Sequence, residues 1–481
     1  MDQADDALPL DALALAASIR AGTLSARDAM TSALERARDL AHLGAIRLLD
    51  PDQGLRRADA LDALLRSEPE RAAAMPFFGV PFLLKDLGAA AAGFPIVCGS
   101  RLLLDTPPAA TNSHLATRFD NAGLVPFGVT TVPEFGMTLA SEPAIGPKAR
   151  NPVDPSRTPG GSSGGAASAV ASGIVALAQS GDAGGSTRVP AACCGLVGLK
   201  PTRAAVPGGP AFGNHLHGLA CELVLSRSLR DTAAALDAVA GRAQGPEPDP
   251  DLGEAALHRL ARPVSPLRVG FCLEGPRDFP VEAERQQAVR KAAAVLAAAG
   301  HGLVPIDAER LERFTVQATM VFDRIIAVNA ARNLGDLGTV ALARVEPLTR
   351  SVVARGLSVS GVELQAALAT GVAVAHGLWR LFDEIDVLLT PMLATAPPPL
   401  GAFPMDGDDV DENWRRMNAF APYAMVANVA GVPALSVPYG LDDAGLPLAV
   451  QLVGAMGTDA QLLAVAQQLD AGRHRGRTVF P

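Results

Sequence analysis

The sequence predicts an α/β fold with a large, mostly buried sheet, and three observations carry that prediction. Short apolar runs of strand length recur along the chain, helical patterns lie between several of them, and 481 residues are enough to bury both in a substantial core. Hydrophobic residues make up 49% of the chain against 19% charged and 4% aromatic, so small aliphatic side chains are expected to fill that core.

In chain order, residues 8–70 show helical periodicity, as in LDALALAASIRAG, and TLSARDAMTSALERARDL begins with Ser25 placed as an N-cap. Together they predict an outer helical layer. Strands are expected at 77–87 (FFGVPFLLKDL), 123–129 (GLVPFGV), 174–180 (IVALAQS), 267–272 (LRVGFC), 385–390 (IDVLLT), 434–440 (ALSVPYG) and 447–454 (PLAVQLVG), with helices at 283–299 and 458–470. GRAQGPEPDPDLGE, residues 241–254, has the composition of a linker or an exposed loop. APPPLGAFPMDGDDVDEN, residues 396–413, suits either an excursion near a functional site or a plain surface loop. No repeat of roughly 20–50 residues is present, so a solenoid is disfavoured.

A formal net charge of -9 weighs against gripping phosphate backbones directly, which takes a concentrated basic surface. Cys98, Cys193, Cys194, Cys221 and Cys272 are odd in number and lack paired metal-ligand spacing. Neither a disulfide framework nor a zinc site is expected, and a reduced, cytoplasmic setting is. The N-terminal MDQADDALPL is acidic where a signal peptide is basic, and no run approaches the roughly 20 apolar residues of a membrane span, so a soluble chain is expected. Of 41 basic residues only four are lysines (Lys85, Lys148, Lys200 and Lys291), leaving 37 arginines. Genomic base composition explains such a skew. Yet a buried lysine can be neutral and an arginine cannot, so each retained lysine marks a place where a neutral amine is chemically possible.

The stretch NPVDPSRTPGGSSGGAASAV, residues 151–170, sets two serines between glycine pairs. A linker would continue as polar low-complexity sequence, whereas this one runs into AASAVASGIVALAQSGD, a small-residue helix that Gly173 is placed to stop, followed by an apolar strand. A Walker A phosphate loop needs Lys and then Ser or Thr after its last glycine, and Gly165 is followed by Ala166 and Ala167. Gly161-Ser162-Ser163-Gly164-Gly165 does match the G-x-S-x-G nucleophile elbow. An elbow, however, follows a strand directly, and NPVDPSRTP carries three prolines. Nor does any of His215, His217, His258, His301, His376 or His474 stand in a recognisable catalytic context.

A second segment, SGDAGGSTRVPAACCGLVGLKPT at 180–202, places Ser186 after a strand and a tight Gly184-Gly185 turn, and before a short helix closed by Gly195. The backbone N–H groups of Ala183, Gly184, Gly185 and Ser186 are then expected to point toward one spot, the geometry of an oxyanion hole at a helix N-terminus. Taken alone, the pattern is more often a structural turn capped by its serine. Lys85 lies in the apolar FFGVPFLLKDLG, where desolvation favours the neutral amine, so Ser186, a bridging serine and Lys85 are able to pass one proton in line. Alone, Lys85 also reads as a strand-end lysine reaching solvent or pairing with Asp86.

Lys85 in GVPFLLKD, PGGSSGG at 159–165 and SGDAGGSTRVPAACCGLVGLKPTR at 180–203 together resemble the amidase signature family in order and spacing. The similarity extends to NAGLVPFGVTTVPEFG (121–136), GLACELVLSRSLRDTAAALDAVAG (218–241) and NVAGVPALSVPYGLDDAGLPLAVQLVG (428–454), and so covers most of the chain. The resemblance implies one α/β/α domain over residues 1–481, with a large mixed sheet covered by helices on both faces. Residues 1–70 would be its N-terminal helical layer, 75–240 its catalytic core and 241–481 the remaining sheet and substrate-pocket elements. It further implies Ser186 as nucleophile, Ser162 in a cis peptide as the bridge and Lys85 as base, with Ser163, Asp182 and Arg188 in support and Lys200 structural. No metal or organic cofactor is implied. Position 183 is often a larger residue or Thr in the family and is Ala183 here, which keeps the N–H and bears on the width of the pocket.

The activity implied is amide hydrolysis through an acyl-enzyme on a small or medium carboxamide, anilide, carbamate or oligoamide. EFGMTLASEPAIGPKARNP, residues 134–152, is faintly similar to the branch that hydrolyses aminohexanoate oligomers. The expected partner is thus a small-molecule amide, with no direct nucleic acid and no membrane, in a monomer or homodimer. A second implication is a protein like the hydrolytic subunit of a glutamine-dependent amidotransferase, working with a partner inside a larger complex, although PEFGMT stands where such subunits carry a DEFAMG-like segment. A catalytically silent member is the third, disfavoured because all three relay residues are present. Met137, Thr138, Leu139 and Phe420–Tyr423 are candidates for the pocket wall that read more readily as core.

Overall fold

The apolar runs pair into one mixed sheet of eleven strands in a computed structural model that describes residues 11–210, 215–243 and 249–471. Residues 1–10, residues 244–248 of the linker candidate and His474 lie outside that description. In chain order the strands are β1 (Ile46–Leu49), β2 (Val80–Lys85), β3 (Leu124–Thr130), β4 (Leu177–Asp182), β5 (Val197–Lys200), β6 (Cys221–Ser226), β7 (Arg268–Phe271), β8 (Gly302–Pro305), β9 (Val387–Pro391), β10 (Ala434–Leu441) and β11 (Pro447–Gly454). Across the sheet they follow the order β1-β3-β2-β4-β6-β5-β10-β11-β9-β7-β8. β2 runs parallel to both β3 and β4, and β7 runs parallel to both β8 and β9, while the remaining pairs are antiparallel.

Helices cover both faces, which is why the central strands read as unbroken apolar runs. Strand alternation divides the side chains between two cores. In β2, Phe82 and Leu84 join Phe119 and Leu177 on one face, and Leu83 joins Met30 and Phe127 on the other. The same period of two puts Lys85 on the face of Leu83. Against that face lie the helices Gly164–Ala171, Arg188–Cys193, Ala308–Leu334, Val410–Phe420 and Ala424–Ala430.

Two expectations need correction. Residues 8–70 are not helical throughout, because β1 interrupts the helices Ala12–Arg20, Ala26–Asp39 and Pro51–Ser67 and pairs antiparallel with β3, Leu48 opposite Val129. Four half-buried residues are too few to show an alternation. Strands β5, β6 and β8 add to the expected set: β6 mixes Glu222 and Ser226 into an apolar run, and β8 is a largely exposed edge ending in proline. Ser25 does cap its helix, its Oγ accepting from Asp28 N at 2.9 Å while the Asp28 carboxylate accepts from Ser25 N at 3.3 Å.

Because β2 and β4 are parallel neighbours, their last residues, Lys85 and Asp182, emerge at the same edge of the sheet. The segment 396–413 reaches that region as well. Arg157 Nη1 donates to Pro397 O at 2.6 Å and Thr158 N to Pro398 O at 3.0 Å, which ties the segment to the chain entering the glycine-serine run. Among the described residues no single helix is long and apolar enough to cross a membrane.

Candidate active site

Lys85 closes β2 and is 2% exposed. Its Nζ donates to Ser162 Oγ at 2.9 Å and to Gly181 O at 3.0 Å. Burial strips the ammonium of water and lowers its pKa to about 8, against the opposing pull of Glu222, Asp182 and Cys98. The alternative of a lysine reaching solvent is therefore not what the fold builds. Asp86, its other suggested partner, instead holds Arg47, with Nε to Oδ2 at 2.8 Å.

Ser162 comes from the glycine run, and the Gly161–Ser162 peptide is cis. A side chain at Gly161 would put Cβ 2.6 Å from Ala140 N, so the backbone there packs against backbone and only glycine fits. Ser141, which no sequence motif singles out, anchors the loop: its Oγ donates to Ser162 O at 3.1 Å and accepts from Gly164 N at 2.9 Å. Ser163 occupies the N-cap position of the helix Gly164–Ala171. Its N–H donates to Ser186 O at 3.2 Å, and its hydroxyl pairs with the N–H and C=O of Gly181 at 3.3 Å each.

Ser186 stands in the turn between β4 and the helix Arg188–Cys193 and is 8% exposed. The Asp182 carboxylate organises that turn. Its Oδ1 accepts from Gly185 N at 2.6 Å, and its Oδ2 accepts from Thr187 N at 3.2 Å, Arg188 N at 3.3 Å and Arg188 Nε at 2.9 Å. Burial alone would raise the pKa of this carboxyl, but the Arg188 charge and hydrogen bonds from Arg188, Asn428 and Gly185 hold it well below the usual carboxylate range. The expected set of four convergent amides is thus altered at one position, since a buried carboxylate has claimed the N–H of Gly185. No hydrogen bond among the described residues takes the N–H groups of Ala183, Gly184 or Ser186.

Arg188 is fully buried, and each of its three guanidinium nitrogens has an acceptor. It also donates to Gln451 Oε1 at 2.7 Å, Ala424 O at 2.9 Å and Asn428 Oδ1 at 2.7 Å. Asn428 Nδ2 in turn donates to Asp182 O at 2.9 Å and Leu219 O at 3.0 Å, joining the turn to the helix Ala424–Ala430. Gly185 has φ +116°, and a Cβ there would lie 2.9 Å from Ala424 Cβ. Gly185→Ala is therefore expected to cost about 1–3 kcal/mol of stability and to lower turnover far more than that loss explains, because the turn carrying Ser186 must move. Thermal melting read beside initial rates separates the two effects.

Lys85, Ser162, Asp182, Ala183, Gly184 and Ser186 all border one narrow cavity. Phe135, Met137, Leu216, Phe322, Trp414 and Met417 give it apolar walls. Among the described residues no hydrogen bond joins the hydroxyls of Ser162 and Ser186, and no histidine borders the cavity. Of the wall candidates, Met137 lines the cavity, while Thr138, Leu139 and Phe420–Tyr423 do not. Lys200 stays outside it, with Nζ donating to Pro201 O at 2.8 Å. Sequence reasoning missed Glu222, Phe322, Trp414 and Met417 as lining residues; helical spacing of Trp414 and Met417 carries no mark that separates a pocket wall from core.

A family model described as Amidase matches residues 28–463. A putative amidase, AmiB2, of Mycobacterium tuberculosis (strain ATCC 25618 / H37Rv) is 34% identical over 466 residues, spanning 96% of each chain. A glutamyl-tRNA(Gln) amidotransferase subunit of Synechococcus sp. (strain RCC307) is 31% identical over 481 residues, covering 94% of this chain and 95% of that one. Among solved structures, 6-aminohexanoate cyclic dimer hydrolase complexed with substrate superposes with a TM-score of 0.87 at 30% identity, over 96% of both chains.

Proposed function

The chain belongs to the amidase signature family, and from that premise we propose that it hydrolyses a carboxamide through an acyl-enzyme on Ser186, with Ser162 as proton bridge and Lys85 as base. The contact of Lys85 Nζ with Ser162 Oγ at 2.9 Å, inside the cavity that Ser186 borders, is the observation that supports this most directly. Ser186 Oγ attacks the substrate carbonyl carbon as its proton passes to Ser162 and the Ser162 proton passes to Lys85. Negative charge on the carbonyl oxygen is met by the backbone N–H groups at 183, 184 and 186. The proton then returns through Ser162 to the leaving nitrogen, the C–N bond breaks, and water hydrolyses the ester by the same relay.

The substrate read from the walls is a mainly apolar chain carrying an amide, since aromatic and aliphatic side chains surround the reacting groups. The likeness to the cyclic dimer hydrolase favours an oligoamide of that kind. A fluorophosphonate probe is expected to label Ser186 in wild type and to fail in Ser186→Ala and Lys85→Ala. Label on Ser163 that is indifferent to Lys85 would refute the relay. The likeness to the tRNA-dependent amidotransferase supports a second reading, in which a stable partner co-purifies and ammonia is released from glutamine. Glutamine turnover by the isolated chain against turnover of hydrophobic oligoamides decides between them.

A further inference from the structure

We propose that Glu222 is the counter-charge of Lys85, a positioning residue that keeps a buried base strong enough to hold the proton it receives. The inference rests on the reading of Lys85 as base. Glu222 lies on β6, is 2% exposed and borders the same cavity. Its Oε1 accepts from Ala89 N and from Gln179 Nε2, both at 3.0 Å, and Gln179 Oε1 accepts from the backbone N of Lys85 at 3.2 Å. The carboxylate is thereby fixed to the very strand end that carries the lysine. Its Oε2 is buried and has no hydrogen-bond partner, and among the described residues no ion pair includes Glu222.

Gly181 lies beside both side chains. A Cβ built on Gly181 would lie 3.5 Å from Glu222 Cγ and 3.7 Å from Lys85 Nζ, so both groups flank the space where a side chain is missing. On the other side the backbone of Gly88 packs directly against the carboxylate, since a Cβ there would come 2.2 Å from Glu222 Oε1. Other charged or titratable groups face Lys85, but each is answered locally. Asp182 at the end of β4 is matched by Arg188, and Asp86 is matched by Arg47. Cys98, beyond β2, is a thiol pushed up to about 12 by burial, and therefore neutral. Glu222 alone among these brings a negative charge with no cation of its own.

The chemical consequence concerns the tetrahedral stage. Burial without a counter-charge pushes a lysine further down, where the neutral amine is more plentiful but is a weaker base that holds the proton of the serine pair less well. A carboxylate close by stabilises the ammonium formed at that moment and leaves enough neutral amine at mildly alkaline pH. The direction of the Lys85 shift, lowered only to about 8 with Glu222 as the first of the opposing influences, agrees with this.

The test is the rate at which a fluorophosphonate labels Ser186 in the full-length chain as a function of pH. Labelling by wild type is expected to rise through the Lys85 value of about 8, because the neutral amine is the active form. Glu222→Gln keeps an oxygen for Ala89 and Gln179 and removes the charge. Its rise is expected about one pH unit lower, with a plateau about 3- to 10-fold below wild type. Glu222→Asp, which keeps the charge but withdraws it by one methylene, should fall between the two, and it carries the test if the Gln variant does not fold. A Lys85-dependent rise that neither substitution moves overturns this inference alone. A wild-type rise that is unaffected by Lys85→Ala overturns the relay, and this inference with it.

Discussion

Ser186→Ala is expected to lower amide turnover by about 10⁴-fold or more, Lys85→Ala by nearly as much, and the double substitution by no more than the first alone. A nucleophile without its base and a base without its nucleophile both leave the same residue of catalysis, supplied by the amides of the turn and by substrate binding. Losses that multiply in the double variant would mean that Lys85 and Ser186 act independently, and the relay would be wrong. Ser162→Ala should lie between wild type and these, about 10²- to 10⁴-fold down, since it removes the shuttle but leaves attack and oxyanion contacts in place. Ser163 provides the internal control. Its hydroxyl is already bonded to both backbone groups of Gly181, so Ser163→Ala should cost turnover modestly and through loop order alone. A collapse of turnover in Ser163→Ala, with Ser186→Ala active, would restore the nucleophile elbow.

The parts of this site that are legible in the sequence are those whose chemistry leaves a compositional trace. Lys85 is visible because it is one of four lysines and ends an apolar run, and the glycine-serine run is visible because its prolines and glycines fit neither linker nor phosphate loop. Its assignment to a proton bridge comes from family resemblance rather than from spacing. What stays hidden depends on contacts between distant segments. Ser141 holds Ser162 in place across 21 positions, and Asn428 reaches Asp182 across 246, and neither distance is written in any local pattern. Glu222 is hidden for a different reason, since one acidic residue inside CELVLS weakens the strand signal instead of announcing a site. Short strands fail similarly: β1 has four residues, too few for a period of two to stand out from the helices around it. The single altered amide, that of Gly185, follows from where the Asp182 carboxylate points, which is a property of the folded turn only.

Arg188→Leu is the substitution expected to cost most in stability, about 3–5 kcal/mol, because it leaves the Asp182 carboxylate buried without a cation. The loss is not confined to the pair. Gln451, Ala424 and Asn428 each lose a donor, and Asn428 is the residue that ties the β4 turn to the helix beyond it. Asp182→Asn combined with Arg188→Leu should therefore be less damaging than Arg188→Leu alone, a sign that identifies the uncompensated charge as the main cost. Proton linkage gives an independent check. In wild type the folded pKa of Asp182 lies below its unfolded value near 3.8, so the stability it contributes is fully present above that value and is lost as pH falls through the folded one. Without Arg188 the same burial raises the carboxyl instead, and its contribution changes sign: the variant gains, relative to wild type, as acid neutralises the buried charge. The gap between the two melting temperatures should accordingly narrow between pH 7 and pH 4. A gap that stays constant over that range would place the cost of losing Arg188 in packing and neutral hydrogen bonds rather than in the charge it balances.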